Sequence, residues 1–340
     1  MNNTAPFVWG GAEELAEHLR RNLVAFGHRA EVVRVPFQWE PARVIPAQML
    51  VAHTIEVANV DHVIALKFPA YLVRHPSKTL WLLHQYRQAY DLFDAGQTNL
   101  PAGVEGEQIR TLIRGADQEC FKSCRAIYTN SEVTSDRLFK YNGFASTVLR
   151  PPVNDPELFT GGEYGNYIFC GGRVNLMKRQ HLLVEALAGS DSNVRLVIAG
   201  PADSVADQQR IERLVEELEV GDRVTLDLRM LSRREYADYV NGALAVAYVP
   251  FDEDSLGYVA MEAATAAKPL VTTVDSGGVL RMIVDDKTGW SAPATAAGLA
   301  VAFRAVFESV ERARNYGENL REHWRGFGSN WEHVVEALLP

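Results

Sequence analysis

YIFCGGRVNLMK, residues 167–178, runs from an apolar stretch through Gly171 and Gly172 into Arg173 and, five residues later, Lys178, where a helix is expected to begin. A short apolar run that stops at glycines and passes into a helical pattern is the strand-to-helix turn of an α/β unit. Glycines leave the backbone open to a ligand, and two cations beside a helix amino terminus suit an anion such as a diphosphate. A solvated arginine and lysine at a helix start is the equal competing reading.

Working outward, the alternation continues on the carboxyl side. VRLVIAG (194–200) precedes a helix through IERLVEELE, and VTLDLRM (224–230) precedes a short helix. ALAVAYVPF (243–251) leads to a helix from Gly257, and PLVTT (269–273) to a helix after Gly278. On the amino side LRPPVNDPELF (149–159) carries Pro151, Pro152 and Pro156, which can continue neither a helix nor a central strand, so it reads as a linker. Before it, residues 12–26 place Ala12, Leu15, Ala16, Leu19, Leu23 and Phe26 on one helical face, and Gly27 stops the helix. The runs AEVVRV, HVIALKF, TLWLLHQY and AIYTNS follow, separated by helical stretches of which 105–123 is the longest. The expectation is two doubly wound, Rossmann-like α/β domains with a cleft between them. Residues 1–152 form the first, 153–325 the second, and 326–340 a final helix packing back on the first.

At 340 residues the chain is long enough for two such cores, and 47% hydrophobic with 23% charged residues is ordinary globular composition. No apolar run reaches the roughly 18 residues of a membrane span, and MNNTAPFVWGG lacks the regions of a signal peptide, so a cytoplasmic protein is expected. The net charge is −9; up to Arg150 there are 16 Lys and Arg against 15 Asp and Glu, and beyond it 18 against 28. Neither half carries the basic excess of a nucleic-acid binder. Cys120, Cys124 and Cys170 fit neither a disulfide framework nor a zinc spacing and read as packed thiols.

DEDSLGYVAMEAA (252–264) sets Asp254 and Glu262 eight apart with Gly257 at the turn between them, so the amides around Leu256, Gly257 and Tyr258 open a helix on the same side. Carboxylates accept charge-assisted hydrogen bonds from vicinal hydroxyls, which makes a ribose and a hexose natural ligands. A helix-capping Asp254 and a solvated Glu262 is the plainer alternative, but Glu262 lies among Met261 and small apolar residues, where a carboxylate requires a partner.

In this combination the chain resembles the retaining glycosyltransferases of family 4, with the GT-B fold. GRVNLMK (172–178), Asp254 with Glu262, KPLV (268–271) with Gly277 and Gly278, and GGAE (10–13) match the family's motifs in order and spacing. The resemblance implies that Gly172, Arg173 and Lys178 hold the donor diphosphate and Glu262 the ribose. Asp254 and the amides of Leu256, Gly257 and Tyr258 would hold the transferred sugar, while Gly10 and Gly11 approach the sugar phosphate from the other domain. His84, at the end of TLWLLHQY, aligns with a family histidine near the donor sugar; a histidine packed between aromatics is the alternative. Tyr86, Arg87, Tyr90 and Phe93 read equally as an acceptor-facing surface or as core. Gly200, Arg229 and Met230 sit on loops that in the family touch the nucleotide base.

The implied reaction moves a hexosyl group from a nucleotide-diphosphate sugar, UDP- or GDP-linked, to the hydroxyl of a carbohydrate, lipid-linked or small-molecule acceptor. It proceeds with retention and without metal or other cofactor, since Arg173, Lys178 and the nearby helix end would supply the positive charge at the diphosphate. A catalytically silent nucleotide-sugar-binding subunit is the alternative. A nicotinamide dehydrogenase meets the lack of GxGxxG after a first strand. The chain departs from the family at Asp254, where glutamate is usual, and at Arg281, where many members carry an acid. It departs again at residues 2–9, which supply at most a short first strand, so the first domain is expected to be the less stable.

Overall fold

The computed structural model describes residues 1–4 and 9–340. Two compact units form, Met1–Asn154 with Ser329–Pro340 and Asp155–Gly328.

In the first unit, strands β1 (Asn2–Thr4), β2 (Arg34–Pro36), β3 (Val63–Ala65), β4 (Lys78–Leu82), β5 (Ala126–Thr129) and β6 (Thr147–Val148) are all parallel. β1 pairs with β2, and β3 to β6 pair in chain order. The Met1 amino group donates to the Ile64 carbonyl at 2.6 Å and the Leu66 amide to the Met1 carbonyl at 3.0 Å, which sets the chain start against β3. The expected short first strand is therefore three residues long, between two neighbours; residues 5–8, which that expectation also covers, lie outside the described residues. It is a polar strand: Asn2 and Asn3 are buried, and only the Asn3 carboxamide finds a partner among the described residues, donating to the Phe68 carbonyl at 2.8 Å. The helix Gly11–Ala25 buries Leu15, Ala16, Leu19 and Leu23, the stripe that its 3.6-residue spacing dictates. The helix Trp331–Leu338 packs against it.

Tyr86 and Tyr90 belong to the core of this unit, so they do not form an exposed aromatic surface. The Tyr90 and Tyr71 hydroxyls donate, each at 2.8 Å, to the two oxygens of fully buried Asp117 on the helix Val104–Ser123. Burial outweighs those two donors and pushes the Asp117 carboxyl up to about 8. The folded chain thus keeps a proton that the unfolded chain releases near pH 4. The stability this contributes is complete below the unfolded range and is lost as pH rises to about 8, at up to about 1.4 kcal/mol per pH unit. Asp117→Asn is expected to flatten the fall in stability between pH 5 and 8, measured by urea unfolding. An unchanged pH dependence in the variant would contradict a neutral Asp117.

The second unit is one parallel sheet of β7 (Ile168–Gly171), β8 (Leu196–Ala199), β9 (Val224–Asp227), β10 (Ala245–Ala247), β11 (Leu270–Thr273) and β12 (Gly289–Ala292), ordered β12-β11-β10-β7-β8-β9. Every residue of β7, β8, β10 and β11 is buried, as the continuous apolar runs require for strands covered on both faces. The chain reverses its direction of winding between β7 and β10, and in such sheets ligands bind past the strand carboxyl ends at that point. Two expectations are corrected. A 3₁₀ turn, Gly278–Met282, replaces the helix after Gly278, and β12 is a strand that the sequence reading omitted. Among the described residues no helix is long and apolar enough to cross a membrane.

Candidate active site

Two loops meet at the switch point of the second unit, one after β7 and one after β10. The β7 loop depends on glycine. Gly172 has φ +102°, and a Cβ on Gly200, itself at φ +133° after β8, would lie 2.5 Å from the Gly172 carbonyl oxygen. Gly200 thus has no room for a side chain beside the β7 loop, while Gly172 needs glycine for its left-handed backbone.

Beyond Arg173 the expectation of a helix starting at Lys178 is corrected: the helix is Gln180–Ala188. The Asn175 side chain accepts from the Lys178 amide at 2.9 Å and holds a turn. Arg179 takes a left-handed conformation, φ 55°, that carries its guanidinium to Asp275, Thr273 and the Val249 and Pro250 carbonyls. Lys178 is left pointing across to the other loop, where its Nζ donates to the Tyr248 hydroxyl at 2.8 Å and pairs with Glu253. Burial opposes its charge, but Glu253 and Tyr248 outweigh that and hold the ammonium above the ordinary lysine range. Arg173 is more exposed and reaches Asp203 at 2.8 Å.

The β10 loop is fixed by the glycine pair. The Glu253 carbonyl accepts from the Gly278 amide at 2.7 Å, and Cβ atoms on Gly277 and Gly278 would fall 2.4 Å from Glu253 and 2.5 Å from the Ser255 carbonyl oxygen. Asp254 and Leu256 are buried in this loop. Gly257, at φ +78°, caps the helix Tyr258–Thr265 and rests on the Tyr248 ring. Its amide donates to the Ser255 hydroxyl at 3.2 Å, so of the three amides expected to face a ligand this one is engaged. The N-cap is Gly257 rather than Asp254, and among the described residues no side chain caps the helix.

Glu262 lies within the helix and is 2% exposed. The partner its apolar setting demands is Arg233, whose Nη1 donates to Oε1 at 2.6 Å; the Tyr236 hydroxyl bonds the same carboxylate. Glu262 is therefore neither solvated nor exposed. Arg229 turns to Asp227 and Glu235, and Met230 beside it is exposed.

In the first unit, Gly10 caps the helix Gly11–Ala25, and its amide donates to the Glu13 carboxylate at 3.0 Å. β4 stops at Leu82, so His84 stands in the loop beyond the strand end and not on it; its Nδ1 lies 2.6 Å from the Gln85 carbonyl oxygen. The three cysteines are free thiols, with Cys120 and Cys170 buried.

Reading the sequence alone missed Glu253, Tyr248, Arg233 and Tyr236. The run of three acids at 252–254 was a signal for Glu253. Nothing local distinguishes Arg233 in LSRREY from a charged helix start.

The chain has relatives among known proteins. Residues 161–323 match the family described as glycosyl transferases group 1. A D-inositol 3-phosphate glycosyltransferase of Xylanimonas cellulosilytica is 37% identical over 174 residues, 51% of this chain and 40% of that protein. The match thus spans about two fifths of the relative's length. Among solved structures, WaaG, a glycosyltransferase involved in lipopolysaccharide biosynthesis, aligns with a TM-score of 0.75 over 99% of this chain and 98% of that one at 16% identity. The sucrose-phosphate synthase of Thermosynechococcus elongatus aligns with a TM-score of 0.74 over 99% and 96% at 18% identity. The fold is GT-B.

Proposed function

We propose, from a chain whose residues 161–323 are a glycosyl transferases group 1 domain, that the protein is a retaining glycosyltransferase of family 4. It moves a hexosyl group from a UDP- or GDP-linked sugar to the hydroxyl of a carbohydrate, lipid-linked or small-molecule acceptor. The observation that carries this reading is Lys178, held charged and half-buried at the switch point across from the loop of Asp254. A diphosphate brings more negative charge to Lys178 than the single Glu253 carboxylate now beside it, and Arg173 supplies a second cation from the same loop.

The bond between the anomeric carbon and the phosphate oxygen breaks as the acceptor oxygen bonds the same face, and the acceptor proton passes to the departing phosphate. Preorganised positive charge where that phosphate gains charge is the largest contribution expected of the protein. Asp254 holds the sugar and Glu262 the ribose. The names of the curated relatives support transfer of a glycosyl group.

Incubation with a panel of UDP-, GDP-, ADP- and TDP-linked hexoses, with release of the nucleoside diphosphate followed, tests the proposal. One donor is expected to be consumed. Thermal stabilisation by a nucleotide, about 2.7 kcal/mol at 100 times its dissociation constant, without any release would instead identify a silent binder.

Side-chain cations make a metal unnecessary, so EDTA is expected to leave transfer unchanged. Loss of transfer in EDTA with recovery in magnesium or manganese would show that Arg173 and Lys178 do not suffice.

A further inference from the structure

We propose that Arg233 is a positioning residue that sets selectivity for ribose by holding the Glu262 carboxylate in one orientation. The inference rests on reading the second unit as a nucleotide-sugar site and adds to it a residue outside every motif noted in the sequence.

The Glu262 side chain is 3% exposed, on a helix where Met261, Ala263 and Ala264 are also buried. A carboxylate so little exposed is oriented by protein groups rather than by bulk solvent. Arg233 engages Oε1 at 2.6 Å and the Tyr236 hydroxyl bonds the same group. A carboxylate's two oxygens offer several acceptor positions, which is what engaging a vicinal diol beside an arginine requires.

Arg233 is itself fixed. Its Nε lies 3.7 Å from the Asp155 carboxylate in the linker, and its guanidinium packs 4.7 Å from the Phe159 ring centre and 5.9 Å from that of Tyr236. Tyr236 in turn sits against Gly171 at the end of β7, where a Cβ would meet the ring at 2.5 Å. A planar fork clamped between a second carboxylate and two rings gives Glu262 a defined direction, which a flexible cation would not. A site whose buried acceptor is aimed at hydroxyls discriminates against a ligand that lacks one.

The test is calorimetric binding of UDP and GDP and of their 2′-deoxy counterparts to the full chain, with melting temperature recorded as a check on folding. For the nucleotide that binds, the parent is expected to prefer the ribose form by about tenfold or more. Arg233→Met should reduce that preference to about twofold or less while the protein still melts cooperatively. Arg233→Gln, which keeps a hydrogen-bond donor, is the second variant should the first fail to fold, and is expected to lower the preference at least threefold. In a Glu262→Gln background the Arg233 change should have no further effect on the ratio, since a residue acting through another is not additive with it. A preference equal to the parent's in the Arg233 variants, or an equal drop in both backgrounds, overturns the proposal and leaves the donor site standing. A parent that binds no nucleotide overturns the donor-site reading and this inference with it.

Discussion

Lys178→Ala and Arg173→Ala are each expected to lower turnover by about 10² or more, which corresponds to about 2.7 kcal/mol of lost transition-state stabilisation. Both residues flank the end of β7 at the switch point, where a ligand's phosphate would approach over Gly172. The two losses differ in their side effects. Lys178 pairs with the partly buried Glu253 and with the Tyr248 hydroxyl, so alanine there leaves a carboxylate without its cation and lowers the melting temperature as well. Arg173 is paired with Asp203 nearer to solvent, and its removal should leave stability close to the parent's. Turnover within twofold of the parent in both variants would remove the assignment of the diphosphate to this loop.

Glu262→Gln is expected to weaken nucleotide binding by about 10 to 100 times with a smaller change in kcat, whereas Asp254→Asn lowers kcat by about 10² and changes binding little. A ribose contact is made alike in ground and transition states, so its loss appears in affinity; a contact to the moving sugar strengthens as the bond breaks, so its loss appears in rate. The structure gives the two acids different surroundings. Glu262 is clamped by Arg233 and Tyr236 inside a helix, while Asp254 lies in a loop pinned by the glycine pair. Glutamine at 262 keeps the shape but removes the charge that Arg233 holds. Titration of nucleotide and steady-state kinetics on both variants separate the two roles, and equal effects of both changes on affinity and rate would contradict the division.

Most of the fold was legible because it is written in local signals. The buried runs of β7, β8, β10 and β11 are apolar without alternation, and the stripe of Leu15, Leu19 and Leu23 repeats at helical spacing. β12 was not legible: its four residues, GWSA, begin with glycine and contain serine, and it is a strand only because β11 pairs with all four. The helix after Lys178 starts two residues late for a similar reason. Arg179 leaves the helical conformation to reach Asp275 and two carbonyls, contacts that no spacing in the sequence foretells.

In the candidate site, the glycines carried their own warrant, since Gly172, Gly200, Gly257 and Gly277 all take positive φ. The charged residues told only half of theirs. The apolar setting of Glu262 marks it as a charge that needs a partner and Lys178 stands out as a cation after a glycine turn, yet Arg233 and Glu253 come to them through tertiary packing. His84 and Arg229 differ from these, because the structure turns each towards a neighbour close in sequence.

The central claim, that the loop after β7 receives a nucleoside diphosphate, is tested most directly by calorimetric titration of UDP, GDP and their parent nucleosides against the full chain and its Lys178→Ala variant. The account predicts that one diphosphate binds the parent at least about tenfold more tightly than its nucleoside, a difference of about 1.4 kcal/mol, and that Lys178→Ala removes most of that difference. Equal affinity for nucleoside and diphosphate in the parent, or a difference that Lys178→Ala leaves intact, would contradict it.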